Sequence, residues 1–552
     1  MGTPDLRLRE LSFALLVIVV SSYAWMFSRV SVPNERTRAY LTVALVDHGT
    51  LAVDEPLRRF GSVYDLAQFE GRYFTDKAPG SSLLAVPIYA LVRLATQPGD
   101  WSIVELCNLF RTWVILPFGF AGFLLLRSLL RTLGVSPGAI RVSSLAFSLG
   151  TPMLHYSNAF YGHVPVAVLV LGALRCLAIA GVIGPRDVAA HGGSDPAGLA
   201  PSVATRSKRF AALAGAGACA GLAGLIEYQA IVLGAVLTIP ILLSGRRRIL
   251  PNLALYALGA VPFAVALLVY NARAFGSPFA LSYQHLVGQS LQDLHGFGLA
   301  GTTRPSLDVL RLMLTSVHRG LVTTAPFLAF GLAALPLVFR RLGAALWSAA
   351  LLGSVYFVLI VSSSSVWYGG WSFGLRLLIP VFGLLALGAA VGFDAVARFA
   401  GAQTTVRAAA VFSVLYHQLV NVTFPELPPE FEHPLPDSVL PMLKAGLVAP
   451  NIGCKLIGLA PTSLMPLGLA LVVVVACIAW PDAKDLLPAR TVKTHWRVLH
   501  AAVPVLVACL ALLILVRAAP SRPEREQARW VKMAQGWHDG ETSCREVTPP
   551  HQ

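Results

Sequence analysis

Charge is what this chain has least of. Of its 552 residues 13% are Asp, Glu, Lys or Arg, against 55% hydrophobic, whereas soluble domains are about 25% charged. That shortage excludes a string of soluble domains, and the length divides instead into apolar runs of about 20 residues, each able to cross a bilayer. Cysteine is scarce as well. Of seven, Cys107, Cys176, Cys219, Cys477 and Cys509 lie in apolar runs, and only Cys454 and Cys544 in polar stretches. With no CxxC and no zinc-type Cys/His spacing, a disulfide framework and a cysteine metal site are excluded; one Cys454 to Cys544 bridge stays open on an oxidising side. No metal or other cofactor is expected from the motifs, and a divalent metal is left open. Acidic residues are also in deficit, 28 against 43 Lys and Arg, for a net charge of +15. The basic residues cluster in short loops between apolar runs, so the excess reads as positive-inside topology and not as a nucleic-acid surface.

What is present is an all-α polytopic membrane pattern. Apolar runs at residues 11–27, 102–126, 139–154, 164–183, 210–226, 228–243, 250–270, 321–339, 344–361, 373–391, 408–422, 464–480 and 500–516 give about 13 transmembrane helices. The first run has no small-residue cleavage site and reads as a retained span. A cytoplasmic N-terminus places Arg127, Arg131, Arg141, Lys208, Arg209, Arg340, Arg341, Arg398 and Arg407 on the inside. The organisation is then a cytoplasmic N-terminus with the first span (1–28), an outer loop (29–100), a helix bundle (101–517) with outer loops at 271–320 and 421–466, and an extracytoplasmic tail (518–552). A multi-pass protein of the cell (inner) membrane is implied. Residues 184–209, rich in Gly, Ala, Ser and Pro, read as a flexible inner linker.

The outer loop is the exception to the scarcity of charge. Between Val32 and Pro87 it holds Glu35, Asp47, Asp54, Glu55, Asp65, Glu70 and Asp76, interleaved with Arg36, Arg38, Arg58, Arg59, Arg72 and Lys77. Residues 37–46 read as an interfacial helix, FEGRYFTD as a hairpin-like segment, and 81–95 as a second interfacial helix too short to span. Polar density of this kind between two spans suggests a folded site.

Several residue types there suit group transfer. Glu35, at the outer end of the first helix, suits a general base on an acceptor hydroxyl or amine, or a solvated carboxylate paired with Arg36 and Arg38. Lys77, ahead of Pro79 and Gly80, suits a phosphate as a point charge, or a snorkelling anchor; Arg72 is a further candidate. The turn TPMLHYSNAFYGHVP brings His155, Tyr156 and His163 together, more hydrogen-bonding capacity than an aromatic belt needs. In VWYGGWSFGLRLLIP, Arg376 sits a turn inside an apolar run and calls for an anionic partner, a lipid phosphate or a loop carboxylate. Trp367, Tyr368 and Trp371 suit sugar stacking or helix anchoring. Tyr283, His285 and Arg319 are candidates from the next outer loop, while Glu227 reads as a solvated helix-end carboxylate.

The NERTR stretch after the first helix, the YFTDKAPG turn, and the later FGSPF and WYGGWSFGLR segments resemble the type C glycosyltransferase superfamily. That group includes the protein O-mannosyltransferases and the aminoarabinose transferases. The resemblance runs to about residue 391 and implies a GT-C-like bundle whose large outer first loop contains interfacial helices. It also implies an inverting hexosyl or pentosyl transferase that moves a sugar from a polyprenyl-phosphate donor to an extracytoplasmic glycan, lipid or protein acceptor. Glu35 and Lys77 fall on the family's acidic and turn positions. Because the family more often has Asp where Glu35 stands, Asp54 and Asp76 are the alternative catalytic acids. A transporter or flippase of a lipid or polar solute is the competing class, disfavoured by the concentration of charge at the outer helix ends.

Overall fold

The computed structural model describes residues 32–97, 99–184, 203–245, 248–287, 302–449, 465–481, 494–518 and 522–539. The expected first span, most of the inner linker, and Cys454 and Cys544 lie outside these residues. The chain is a mostly helical, multi-span membrane protein. Among the described residues six helices are long and apolar enough to cross a bilayer: Ile103–Thr132, Arg206–Ile226, Ile249–Phe275, Ala344–Ser362, Arg376–Ala395 and His500–Arg517. Gly80–Arg93, His163–Ile179, Ala230–Leu242 and Leu467–Ala479 are shorter apolar helices. The difference from the expected number has a physical cause in places. The apolar run at 321–339 is cut into Leu321–Thr324, Pro326–Ala333 and Leu335–Leu342, because Pro326 and Pro336 lack the N–H that a continuous helix needs. The helix Val203–Ile226 in turn takes in the last residues assigned to the linker.

The first described helix, α1 (Pro33–His48), starts with Pro33 in its first turn and ends at Gly49, left-handed at φ 63°. It is longer than the interfacial helix expected at 37–46, and it is not laid on a surface. Glu35 and every residue from Thr37 to Ala44 are buried, so protein covers it on all sides. A short helix α2 (Asp54–Phe60) follows. The hairpin is as the alternation suggests: β1 (Leu66–Phe69) pairs antiparallel with β2 (Arg72–Thr75), Leu66 opposite Thr75. Its two-residue turn puts Glu70 at φ 48° and Gly71 at φ 77°, the positive pair a twisted hairpin prefers. A distant segment joins it, since Gln68 N–H donates to the His285 carbonyl at 2.7 Å and Val287 N–H to that of Leu66 at 2.9 Å. Helix α3 (Gly80–Arg93) then packs beside α1.

Helix α4 (Ile103–Thr132) opens on a capping box, Ser102 with Glu105. It widens into a π turn from Arg111 to Ile115, just ahead of Pro117, whose missing N–H already breaks the regular ladder. Helices α5 (His163–Ile179), α6 (Val203–Ile226) and α7 (Ile249–Phe275) follow, then α8 (Leu307–Thr315), α9 (Ala344–Ser362) and α10 (Ile379–Ala395). α10 is buried along nearly its whole length, whereas α7 exposes Leu258, Val261, Val265 and Val269; the first is central and the second faces lipid. The set closes with α11 (Ala400–Asn421), α12 (Met465–Ala479), α13 (Thr494–Ala518) and α14 (Glu524–Asp539).

Basic residues expected on the inner side tie helix ends together. Arg141 Nε donates to the Cys477 carbonyl at 2.8 Å and Arg407 Nη1 to that of Ile478 at 2.7 Å, so two guanidiniums satisfy the last carbonyls of α12. Arg341 pairs with Asp394 at 2.7 Å.

Small residues let α6 and α7 meet backbone to backbone. A Cβ on Gly217 would overlap the Tyr256 carbonyl, and one on Gly259 the carbonyl of Ala214, a packing mode suited to lipid, where close contact replaces the hydrophobic drive. Gly217→Val should therefore lower the apparent melting temperature in detergent, by an overpacking cost of about 1–3 kcal/mol or more. Gly468→Val, on open α12 surface, should leave it unchanged. Thermal-shift curves for the two variants test this.

Candidate active site

The site is built on the turn that follows the hairpin. Thr37 Oγ donates to Thr75 Oγ at 3.0 Å, Lys77 N–H to the same oxygen at 3.2 Å, and Ser282 Oγ to the Asp76 carbonyl at 2.6 Å. The turn thus hangs between α1 and the loop after α7. Lys77 Nζ lies 2.6 Å from Asp76 and 3.1 Å from Asp65. Asp76 is buried, and its second oxygen, Oδ1, has no hydrogen-bond partner. Burial raises the Asp76 carboxyl, Lys77 pulls it back and Asp65 repels it, leaving it at about 6. Burial works against the Lys77 ammonium, but Asp65 and Asp76 outweigh it and hold the lysine charged.

Next to this triad, Arg38, buried inside α1, pairs with Glu227 at 2.8 Å across 189 residues of sequence. Glu227 is therefore a fixed member of the site and not the solvated carboxylate expected. The backbone at Gly162 runs so close to it that a Cβ there would overlap the carboxylate. His163, next in the chain, is within electrostatic reach of Glu227, Arg376, Arg38 and Lys77. Tyr283 faces Lys77 and packs on Tyr228, rings 5.7 Å apart.

A second lobe is cationic. Arg376 lies over the Tyr161 ring at 5.0 Å, and its Nε is buried without a partner. The preceding loop curls around it through Gly369, Gly370 and Gly374, at φ 75°, 68° and 60°; only glycine takes such angles freely. Buried Arg319 donates to the Gly370 carbonyl at 3.1 Å, meets His318 Nδ1 at 2.9 Å, and leaves its own Nε unpartnered. Burial, with repulsion from Arg376, lowers Arg319 to about 10. The nearest buried anion is Glu426, held by His155 Nε2 at 3.1 Å through one oxygen, with the other unpartnered. Tyr156 lies between the lobes, 5.3 Å from Tyr161 ring to ring. Two crowded guanidiniums, each with a donor to spare, make a receptor for an anion.

An apolar cavity of about 130 Å³ is lined by Leu310, Met313, Leu321, Leu375, Leu378 and Val381 among others. Leu375 stands one residue before Arg376 in the chain and Leu378 two residues after it, and no arginine is among the lining residues.

Other expected residues are placed elsewhere. Asp54 accepts from Tyr73 N–H at 3.3 Å within the α2–β2 corner, and Arg72, exposed, donates to Thr50 at 2.9 Å; neither joins the cluster. The His285 ring is stacked on Phe275 at 5.2 Å and serves the hairpin through its carbonyl. Tyr368 lies under Arg319 at 5.8 Å, with Trp367 against it at 6.3 Å, while Trp371 packs 6.2 Å from Trp530 of α14. Glu35 is fully buried, both oxygens engaged by Arg111 and one also by the Phe160 N–H at 2.7 Å; it does not face the Lys77 cluster. Among the described residues no group of three or more His, Cys, Asp or Glu side chains is arranged to hold a metal ion.

Glu227, Arg319 and Glu426 are the residues that sequence reasoning undervalued. A carboxylate beside tyrosine at a helix end and a glutamate in the proline-rich TFPELPPEFEHP stretch were the available signals.

No protein-family model and no curated protein matches the chain. Solved structures are similar in shape at low identity. ArnT from Cupriavidus metallidurans bound to undecaprenyl phosphate is 15% identical, with 97% of this chain and 79% of that one covered and a TM-score of 0.48. The archaeal oligosaccharyltransferase AglB from Archaeoglobus fulgidus, in complex with an inhibitory peptide and a dolichol-phosphate, is 11% identical over 96% of this chain and 56% of that one, TM-score 0.45. The arabinosyltransferase EmbB from Mycobacterium smegmatis is 15% identical over 96% and 41%, TM-score 0.39.

Because Gly162 leaves no room for a methyl group, Gly162→Ala should push Glu227 off Arg38 and lower the melting temperature, at a cost of about 1–3 kcal/mol. Combined with Glu227→Gln, the two losses should fall short of additive, as expected of residues in contact; thermal denaturation of the single and double variants measures this.

Proposed function

We propose that this protein is a membrane glycosyltransferase that moves a sugar from a polyprenyl-phosphate donor to an acceptor hydroxyl or amine at the outer face of the membrane, with inversion. The observation that carries the reading is the pairing of two lobes, a buried carboxylate with an open oxygen and an arginine-rich anion receptor.

In this reading the donor's phosphate lies against Arg376 and Arg319, and the first part of its isoprenoid chain enters the cavity lined by Leu375 and Leu378. The acceptor oxygen or nitrogen attacks the anomeric carbon while Asp76 Oδ1 takes its proton. The bond from that carbon to the phosphate oxygen breaks, and the polyprenyl phosphate leaves with the electron pair. The arginines stabilise the charge that grows on the leaving group. Asp76 suits the base role because its value near 6 leaves it ionised yet still basic at neutral pH. Lys77, already neutralised by two carboxylates, serves as the holder of Asp76 more than as a phosphate ligand. His163, Tyr161 and Tyr156, between the lobes, are placed to contact the sugar.

Asp54 and Arg72 have no part in this scheme. Trp367, Trp371 and His285 support the walls. The N-terminus in the cytoplasm and the site outside follow the positive-inside count, and an inner-membrane location goes with it.

The test is purified protein in liposomes given labelled polyprenyl-phosphate sugars and envelope extract as acceptor source. A new glycosidic product with release of polyprenyl phosphate is expected; lipid movement without product would replace this reading with a transporter. Asp76→Asn should reduce turnover by about 10²–10⁴-fold, the usual worth of a positioned base. Arg376→Met should mainly raise the KM for donor. Activity should fall as pH drops through about 6, where Asp76 takes up its proton. Asp65→Asn removes a repelling charge, so that limb should move to lower pH; a limb that stays in place counts against Asp76 as base.

A further inference from the structure

Glu35 is bonded to two other segments of the chain, at Arg111 and Phe160. Glu35, in the first turn of α1, receives three hydrogen bonds: Arg111 Nε at 2.7 Å and Phe160 N–H at 2.7 Å on Oε1, and Arg111 Nη2 on Oε2. Arg111 is itself oriented, its Nη1 donating to Asn108 at 2.8 Å, and it opens the π turn of α4. A π turn inside an α-helix redirects the side chains at that point and is found mostly where a specific placement is needed. Both partners are buried, Glu35 completely.

The third donor gives the pair a purpose beyond neutralising a charge. Phe160 lies in the turn between Tyr156 and His163, which has only short-range backbone bonds of its own, such as Tyr161 N–H to the Ala159 carbonyl at 2.7 Å. The Phe160 ring packs on Phe110, one residue before Arg111, at 5.0 Å. The next residue is Tyr161, whose ring lies beneath Arg376, with His163 stacked on it at 5.9 Å. We infer that Glu35 is a positioning residue: with Arg111 it clamps the Phe160 amide and thereby fixes Tyr161 under Arg376, setting the geometry of the anion receptor. The inference rests on the reading of Arg376 as the donor-phosphate group, but the clamp itself is a statement about the turn.

The test has one arm for each. Hydrogen exchange of the peptide covering residues 156–163, measured without substrate, reports the clamp. Glu35→Gln and Arg111→Gln should both speed that exchange by about tenfold or more, since each removes one half of the same tether. The double variant should be no worse than the worse single, as for residues acting as one unit. In the transfer assay both variants should raise the donor KM more than they lower kcat, with the acid limb of the pH profile unmoved. Glu35→Asp, which keeps the charge but shortens the reach, serves if the glutamine variants fail to fold, and should give a smaller increase in exchange. Unchanged exchange in the folded variants overturns the clamp. So does a Glu35→Gln enzyme whose kcat falls about a thousandfold with donor KM intact while Arg111→Gln stays active, because that is the signature of a base. A wild-type protein that transfers no sugar, yet shows the exchange response, keeps the clamp and removes the glycosyltransferase reading.

Discussion

A guanidinium inside an apolar helix is tolerated only with a fitted anion, and in this chain that constraint is met by Arg111 of α4 and Glu35 of α1. Removing either partner strands a charge in a dry interior. The pair therefore decides where α1 sits against the bundle, and α1 in turn carries Arg38 to Glu227 and Thr37 to the turn holding Asp76. The carboxylate lobe of the candidate site is tied to this helix by both contacts. The charges of α1 are met from other elements: Glu35 by Arg111, Arg36 by the Phe60 carbonyl, Arg38 by Glu227 and Asp47 by Arg93.

The same economy runs through the two lobes. Lys77 with Asp65 and Asp76, Arg38 with Glu227, and Arg376 with Glu426 set three cations against four carboxylates, and Arg319 adds a fourth cation beside Arg376. The balance is uneven in space. Asp65, Asp76 and Glu227 crowd the hairpin side, where burial raises the Asp76 carboxyl to about 6, and Arg319 and Arg376 crowd the glycine-rich loop. A proton acceptor at one end and an anion receptor at the other is the polarity that group transfer from a phosphate ester requires.

Much of the local structure was legible from residues close in sequence. The hairpin followed from alternation around Glu70–Gly71, and the turn at Lys77 from Pro79 and Gly80. Arg376 was marked by the rarity of charge in its run, and the structure brings it near Tyr161 and Glu426. What stayed hidden depended on distant partners. The reading of 37–46 did not show the protein packed around it: its one charge, Arg38, is matched by Glu227, and the preceding Glu35 and Arg36 by Arg111 and the Phe60 carbonyl. Glu35 looked available as a base for the same reason. Glu227 and Glu426 looked ordinary because their partners, Arg38 and His155, are 189 and 271 residues away. The run at 321–339 is divided by prolines that hydropathy does not weigh.

The hairpin's third neighbour changes how the loop after α7 should be regarded. Through the His285 carbonyl, Val287 and the Ser282 hydroxyl, that loop is bonded to β1 and to the backbone of Asp76. It is a brace for the carboxylate turn. An epitope or reporter spliced between Phe275 and Leu286 would press on the carboxylate turn, so accessibility alone is a poor guide to where this molecule can be labelled.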